Sequence, residues 1–449
     1  MSITRLFNVD FGKKQGKIKP LHAINGGPLS GGAQLPYDMS AEYRELKPPI
    51  VRCVMPDGSC GYNQFICVHS VFPDLSLDEN DAESYNFAPT DKYLQSIRES
   101  GAQIFYTLGE SAEYEGKRLY TIAPSDYEKW ARVCEHIIMH YNEGFADGFK
   151  WNIKHFEIWN GADRDECFLG ERTEFFELYR VVSNYLKERF PRIKIGAFGA
   201  IGFSSQNRID ASESERKSFD FTTEFLTFVC KNDTKSPLDF FTWRCFARTP
   251  EELSLHAKYA RSYLDLAGLK RTKSIVSQFN LYCDGAVPPS LLEEYPAFLA
   301  ASLILAQKNA IDTMFYSTGE VHDFMNALYT VDDCVTHRRY AAFEVMEGFS
   351  ALYSLGNAVE TSEDYPREVN LLAAKGAEEG AIMLSSRSFD GRIEITLSGS
   401  DYSTCSVKRI APGTERGEGR VSCIENLKIA GNKLVISVRK NETYFITLK

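Results

Sequence analysis

The chain has 449 residues, 43% of them hydrophobic and 25% charged, with 51 Lys and Arg against 61 Asp and Glu for a formal net charge of −10. That length exceeds one ordinary core and suits a barrel-sized α/β domain with a smaller companion. The acidic balance excludes a nucleic-acid partner, no run approaches the roughly 20 apolar residues of a bilayer span, and the opening MSITRLFNVDFGKK lacks an apolar core of signal-peptide length, so a cytoplasmic protein is expected.

The 11 cysteines are odd in number and scattered, as reduced thiols packed like small hydrophobes would be. Cys53, Cys60 and Cys67, with His69 nearby, are spaced more widely than zinc-binding pairs. His136 and His140 have helical spacing, but no Glu follows His136, and His22 precedes its strand end. No metal and no cofactor are expected.

In chain order the pattern is strand, then helix, repeated. PLHAINGG (20–27) is the first strand and PIVRCVM (49–55) the second. TDKYLQSIRESG (90–101) has apolar residues at helical spacing and a terminal Gly. AQIFYTLGES (102–111) is a strand. PSDYEKWARVCEHIIMHYNEG (124–144) is a long amphipathic helix, capped by Ser125 with Glu128 three residues on and ended by Gly144. HFEIWNG is the next strand, 173–191 a helix stopped by Pro191, and 192–199 a strand. A helix over 221–232, a strand over 238–247, a helix over 250–268 and a strand over 273–282 follow. The series ends with a helix over 295–310, a strand over 311–320 and a helix over 338–352.

Eight strand–helix units close into a (β/α)8 barrel. No G-x-G-x-x-G follows a strand, as an open nucleotide-binding sheet would require. The barrel is expected over 16–358. From about residue 359 short β-branched runs alternate with Gly, Ser and Asp turns, the texture of a small antiparallel β-sandwich over 359–449. The segment 1–15 is expected to pair with it.

Barrel chemistry sits at the C-terminal strand ends. Those ends carry Asn25, Asp57, Glu110, then Asn160, Gly161 and Asp163, then Trp243 and Arg244, Gln278 and Asn280, and Tyr316 and Glu320. Aromatics, amides, an arginine and carboxylates around one rim suit a polyhydroxylated ligand.

The stretch FEIWNGADRDECFLGERTEFFELYRVVSNYLKERFPRIKIGAFG (156–199) resembles glycoside hydrolase family 39, the β-xylosidase and α-L-iduronidase family. EIWN, FLG, FFELY and KIG stand where that family has its fourth-strand motif, the following helix and a Lys-x-Gly strand. PLDFFTWRCF (237–246) is similar to its sixth-strand segment, with Arg244 near the usual His. SIVSQFN (274–280) and FYST (315–318) are similar to its seventh and eighth strands.

The resemblance implies a TIM barrel with a C-terminal β-sandwich and a retaining glycosidase mechanism, which needs two carboxyl groups about 5–5.5 Å apart. The acid/base position is Gly161 and the nucleophile position is Gln278. Neither can titrate. Asn160 survives, and in the family it bonds the sugar 2-hydroxyl.

Three readings follow. Catalytic carboxylates have moved, with Asp163, Glu320 and Glu110 as the candidates and Glu166 beside them. Alternatively the chain is a sugar-binding pseudoenzyme or the partner of an active homologue, in a homo-oligomer or a mixed complex. In the third reading the substrate supplies its own nucleophile. The expected function is a carbohydrate-active protein of glycoside hydrolase type acting on a small oligosaccharide or glycoside. Asn25, Asn160, Trp243, Arg244, Gln278, Asn280 and Tyr316 are expected to contact it.

Overall fold

The computed structural model describes residues 3–29, 38–53, 66–109, 121–203, 211–282, 289–317, 319, 328–329, 338–412 and 420–449. Strand β1 spans Thr4–Lys17. The next eight strands form a closed parallel barrel: β2 Ala23–Asn25, β3 Ile50–Cys53, β4 Gln103–Leu108, β5 His155–Ile158, β6 Lys194–Ala200, β7 Phe240–Ala247, β8 Lys273–Leu281 and β9 Thr313–Tyr316. Closure is the pairing of β9 with β2, Ala23 opposite Phe315 and Ile24 opposite Tyr316. Strands covered on both faces read as near-continuous apolar runs, as QIFYTL of β4 does, with five of its six residues buried. Ala23, Phe105, Phe240, Ile275 and Phe315 fill the barrel interior as one packed layer, so the barrel is a core and not a pore.

Among the described residues, the helices of seven residues or more between the strands are Ser40–Leu46, Ala88–Glu99, Tyr127–Asn142, Arg172–Arg189, Glu213–Phe228, Pro250–Leu266, Pro289–Lys308 and Ala341–Leu355. Two of the boundaries that differ from expectation have a visible cause in the capping. The cap of Tyr127–Asn142 is Asp126, whose carboxylate accepts the Lys129 amide at 2.8 Å, and not Ser125. The helix expected over 221–232 begins eight residues earlier, because Ser212 and Glu215 form a reciprocal capping box.

Beyond the barrel, β10 Asn357–Thr361, β11 Val369–Lys375, β12 Gly380–Ser386, β13 Gly391–Ser398, β14 Thr404–Ala411, β15 Arg420–Lys428, β16 Lys433–Val438 and β17 Glu442–Leu448 join β1 in a nine-stranded sheet. It folds over its own core of Phe7, Val9, Leu371, Ile382, Ile395, Ile446 and their neighbours, as a β-sandwich does. β1 lies between β10, antiparallel, and β13, parallel. The outer face of this domain rests on the helix Pro289–Lys308: Ser385 Oγ donates to the Ala297 carbonyl at 2.7 Å and Thr443 Oγ1 to that of Pro296 at 2.9 Å. Among the described residues no helix is long and apolar enough to cross a membrane, and no group of three or more His, Cys, Asp or Glu could hold a metal ion.

Candidate active site at the barrel mouth

Side chains alternate across a strand, so β5 turns Phe156 and Ile158 into the helix-side core and Glu157 into the barrel. Glu157 is fully buried. Its Oε2 accepts from Arg52 Nε at 2.9 Å, Arg52 Nη2 at 2.7 Å and Thr107 Oγ1 at 2.9 Å, and its Oε1 accepts from Thr242 Oγ1 at 2.5 Å. Arg52, equally buried, also donates to Asn25 Oδ1 at 3.1 Å and Asn160 Oδ1 at 2.9 Å. Burial lowers the Arg52 pKa and the Glu157 charge opposes that shift. One ion pair thus anchors the ends of β2, β3 and β5.

The strand pairing then places two further groups over this anchor. Trp243 of β7 lies opposite Val276 of β8, but Arg244 lies opposite Gln278. Ser277 is the extra residue, a β-bulge that re-aims the side chains beyond it. Gln278 is fully buried, and among the described residues neither of its amide atoms has a partner. Arg244 is 8% exposed, and burial is the main influence lowering its pKa. Its Nη2 donates to Asn160 Oδ1 at 3.1 Å, while its Nε has no partner.

Gly161 sits beside them with φ +76°, a conformation that disfavours any side chain. A Cβ there would stand 2.8 Å from Ile201 Cδ1, 3.1 Å from Cys167 Sγ and 3.3 Å from Arg244 Nη2. The position that a side chain at Gly161 would take is therefore crowded. Asp163 is engaged by backbone: its carboxylate accepts from the Ile201 amide at 2.9 Å and the Gly202 amide at 2.8 Å. Burial raises its pKa and those two amides pull it back.

The family description "Glycosyl hydrolases family 39" matches residues 50–284, more than half of the chain. The chain belongs to glycosyl hydrolase family 39. A β-xylosidase from Geobacillus stearothermophilus is 21% identical over 221 residues, which are 46% of this chain and 39% of that relative, so the match spans well under two thirds of the relative's length. A glucosidase from Croceicoccus marinus superposes with a TM-score of 0.79 at 19% identity, covering 100% of this chain and 99% of that one. A β-xylosidase from Caulobacter crescentus gives 0.70 at 14%, covering 99% of each. At these identities the structural likeness shows the fold.

Against that family 39 barrel, the expected contact residues divide into three groups. Asn25, Asn160, Arg244 and Gln278 come together: Asn25 Nδ2 donates to the Ser277 carbonyl at 2.7 Å, next to Gln278. Asn280 and Tyr316 form a neighbouring set around Tyr295, whose hydroxyl meets Asn280 Oδ1 at 2.6 Å and the Tyr316 hydroxyl at 2.7 Å. Trp243 belongs to neither. It is fully buried among helix-side residues, with Nε1 donating to Ser274 Oγ at 3.0 Å, because alternation along β7 turns it away from the face that carries Arg244. The aromatic on Arg244's side is Phe246, register partner of Asn280 and 38% exposed. Asp57, Glu110 and Glu320 lie outside the described residues.

Sequence reasoning passed over Arg52, Glu157, Thr107, Thr242, Tyr295 and Phe246. For two of these a signal was available. A lone cation in PIVRCVM and a lone carboxylate in HFEIW, each inside an apolar strand, must be paired to be buried.

Proposed function

We propose that this chain binds a small oligosaccharide or glycoside at the C-terminal mouth of its barrel, through Asn160, Arg244, Gln278 and the Phe246 ring. Gln278 carries the reading. A buried amide with unused donor and acceptor capacity is costly unless a ligand completes it. A carboxamide also matches a pair of sugar hydroxyls, accepting from one and donating to the other. Phe246 offers an apolar ring to a sugar C–H face, and family 39 membership supports a carbohydrate as the ligand.

Hydrolysis by the two-carboxylate route requires an acid and a nucleophile facing the same bond. Glu157 is locked by Arg52 and two hydroxyls, and Asp163 by two amides. Glycosidase activity would therefore draw on Glu110 and Glu320, the other two candidates for relocated acids. The engagement of Glu157 and Asp163 favours a second reading, a barrel that binds sugar without cleaving it.

The test is a panel of aryl glycosides and short oligosaccharides scored for turnover, with thermal shift by the free sugars in parallel. Turnover that is lost in Glu110→Gln or Glu320→Gln supports hydrolysis by relocated acids. A sugar-dependent rise in Tm with no turnover supports the binding barrel. No shift and no turnover across the panel overturns both.

A further inference from the structure

Resting on the reading that the barrel mouth binds a sugar, we infer that its ligand carries an oxyanion, held by Arg244 on the side of the mouth where Gly161 lies. The observation is a buried cation with no carboxylate at ion-pairing distance among the described residues, Asp163 and Glu157 acting on it only from further off. Arg52, at the same depth, has a carboxylate against two of its nitrogens. Arg244 has one amide oxygen, shared with Arg52, and an idle Nε. The acid nearest in sequence to this mouth, Asp163, is turned to the Ile201 and Gly202 amides.

Removing a guanidinium from water without a partner is strongly unfavourable, and proteins keep such charges where a ligand supplies the opposite one. Arginine's planar fork matches carboxylate and phosphate with two parallel bonds. Its neighbours fit the same guest. The Gln278 amide lies in register with it and is free to bind an adjacent hydroxyl.

The position of the oxyanion on the ligand follows from Gly161. By its resemblance to the family this is where the acid that serves the glycosidic oxygen would stand, and Arg244 Nη2 lies 3.3 Å from the point where that residue's Cβ would begin. The anion is therefore on the anomeric side of the sugar, as in an aldose 1-phosphate or a glycoside of an acidic aglycone.

Calorimetry and thermal shift with aldose 1-phosphates, the matching methyl glycosides, aldose 6-phosphates and uronates test this. The 1-phosphates should bind on the order of ten- to a hundredfold more tightly than the methyl glycosides, the worth of one charge-assisted pair. Arg244→Met should erase that preference, and Arg244→Lys should retain part of it. Because the unpaired charge is a burden to the empty protein, Arg244→Met should hold or raise the ligand-free Tm. Equal binding of charged and neutral sugars, or a preference that survives Arg244→Met, overturns the inference and leaves the sugar-binding reading standing. Selective binding of 6-phosphates or uronates overturns the placement beside Gly161. Failure of every sugar, charged or neutral, overturns the underlying reading.

Discussion

Arg52 Nη2 and Glu157 Oε2 stand 2.7 Å apart with both side chains wholly excluded from solvent. The pair ties β3 to β5 and, through Asn25 and Asn160, fixes the strand ends from which the candidate site is built. Removing one partner leaves the other charged and buried. Glu157→Ala should cost about 3–5 kcal/mol in urea-melt stability. The double variant Arg52→Met/Glu157→Leu should recover much of that loss, because it leaves no orphaned charge. Recovery of stability without recovery of sugar binding would show that the pair serves the geometry of the mouth.

Restoring a carboxylate at the position of Gly161 should not restore a glycosidase. The backbone there has φ +76°, and a Cβ meets Ile201 and Cys167 before any carboxylate is reached. Gly161→Ala should destabilise by about 1–2 kcal/mol. Gly161→Glu combined with Gln278→Glu should show no turnover of aryl glycosides above background, since the new acid would pair with Arg244 and stay ionised. Adding Arg244→His is the change expected to free it. Robust turnover in the double variant alone would refute this account.

Much of the architecture is legible in the chain because it rests on repetition. Eight alternations of strand and helix, and the change of texture near residue 359, need no knowledge of partners. The mouth is legible only in part, because strand parity and pairing decide which of two adjacent residues faces the ligand. Trp243 and Arg244 are neighbours, yet one joins the helix-side core and the other the mouth. Nothing in SIVSQFN announces that Ser277 bulges and turns Gln278 inward. Nor does the loop ADRDECF reveal that Asp163 serves amides 38 and 39 residues away.

Those parities can be checked directly. Phe246→Ala should weaken sugar binding roughly five- to tenfold with little change in stability, the scale of one lost ring contact at an exposed site. Trp243→Ala should do the reverse, costing about 3–5 kcal/mol as a core truncation. Trp243→Phe should leave affinity unchanged. Titration calorimetry beside urea melts separates the two effects, and a larger affinity loss from Trp243→Phe than from Phe246→Ala would reverse the assignment.

Asp163 separates structural from chemical work. Its carboxylate satisfies two buried amides, so Asp163→Ala should lower stability by about 2–3 kcal/mol. Any turnover per folded molecule should persist in Asp163→Asn. Abolished turnover in an Asp163→Asn protein that melts like the parent would make this carboxylate part of the chemistry.

Acid should unfold this protein through its buried histidines. His22 lies edge-on to Tyr353 and beside Phe349, and burial pushes its pKa from 6.5 down to about 3. His155, stacked on Phe105, is lowered to about 4, again chiefly by burial. A group whose folded pKa is depressed contributes its full stability above the unfolded value. As pH falls below about 6.5 the unfolded chain takes up protons that the folded chain refuses, so stability is lost down to the folded pKa. For His22 alone the loss approaches about 4 kcal/mol between pH 6.5 and 3. His22→Phe should flatten the dependence of Tm on pH across that window while changing little at pH 8. A slope identical to that of the parent protein would mean that His22 is not the group being protonated.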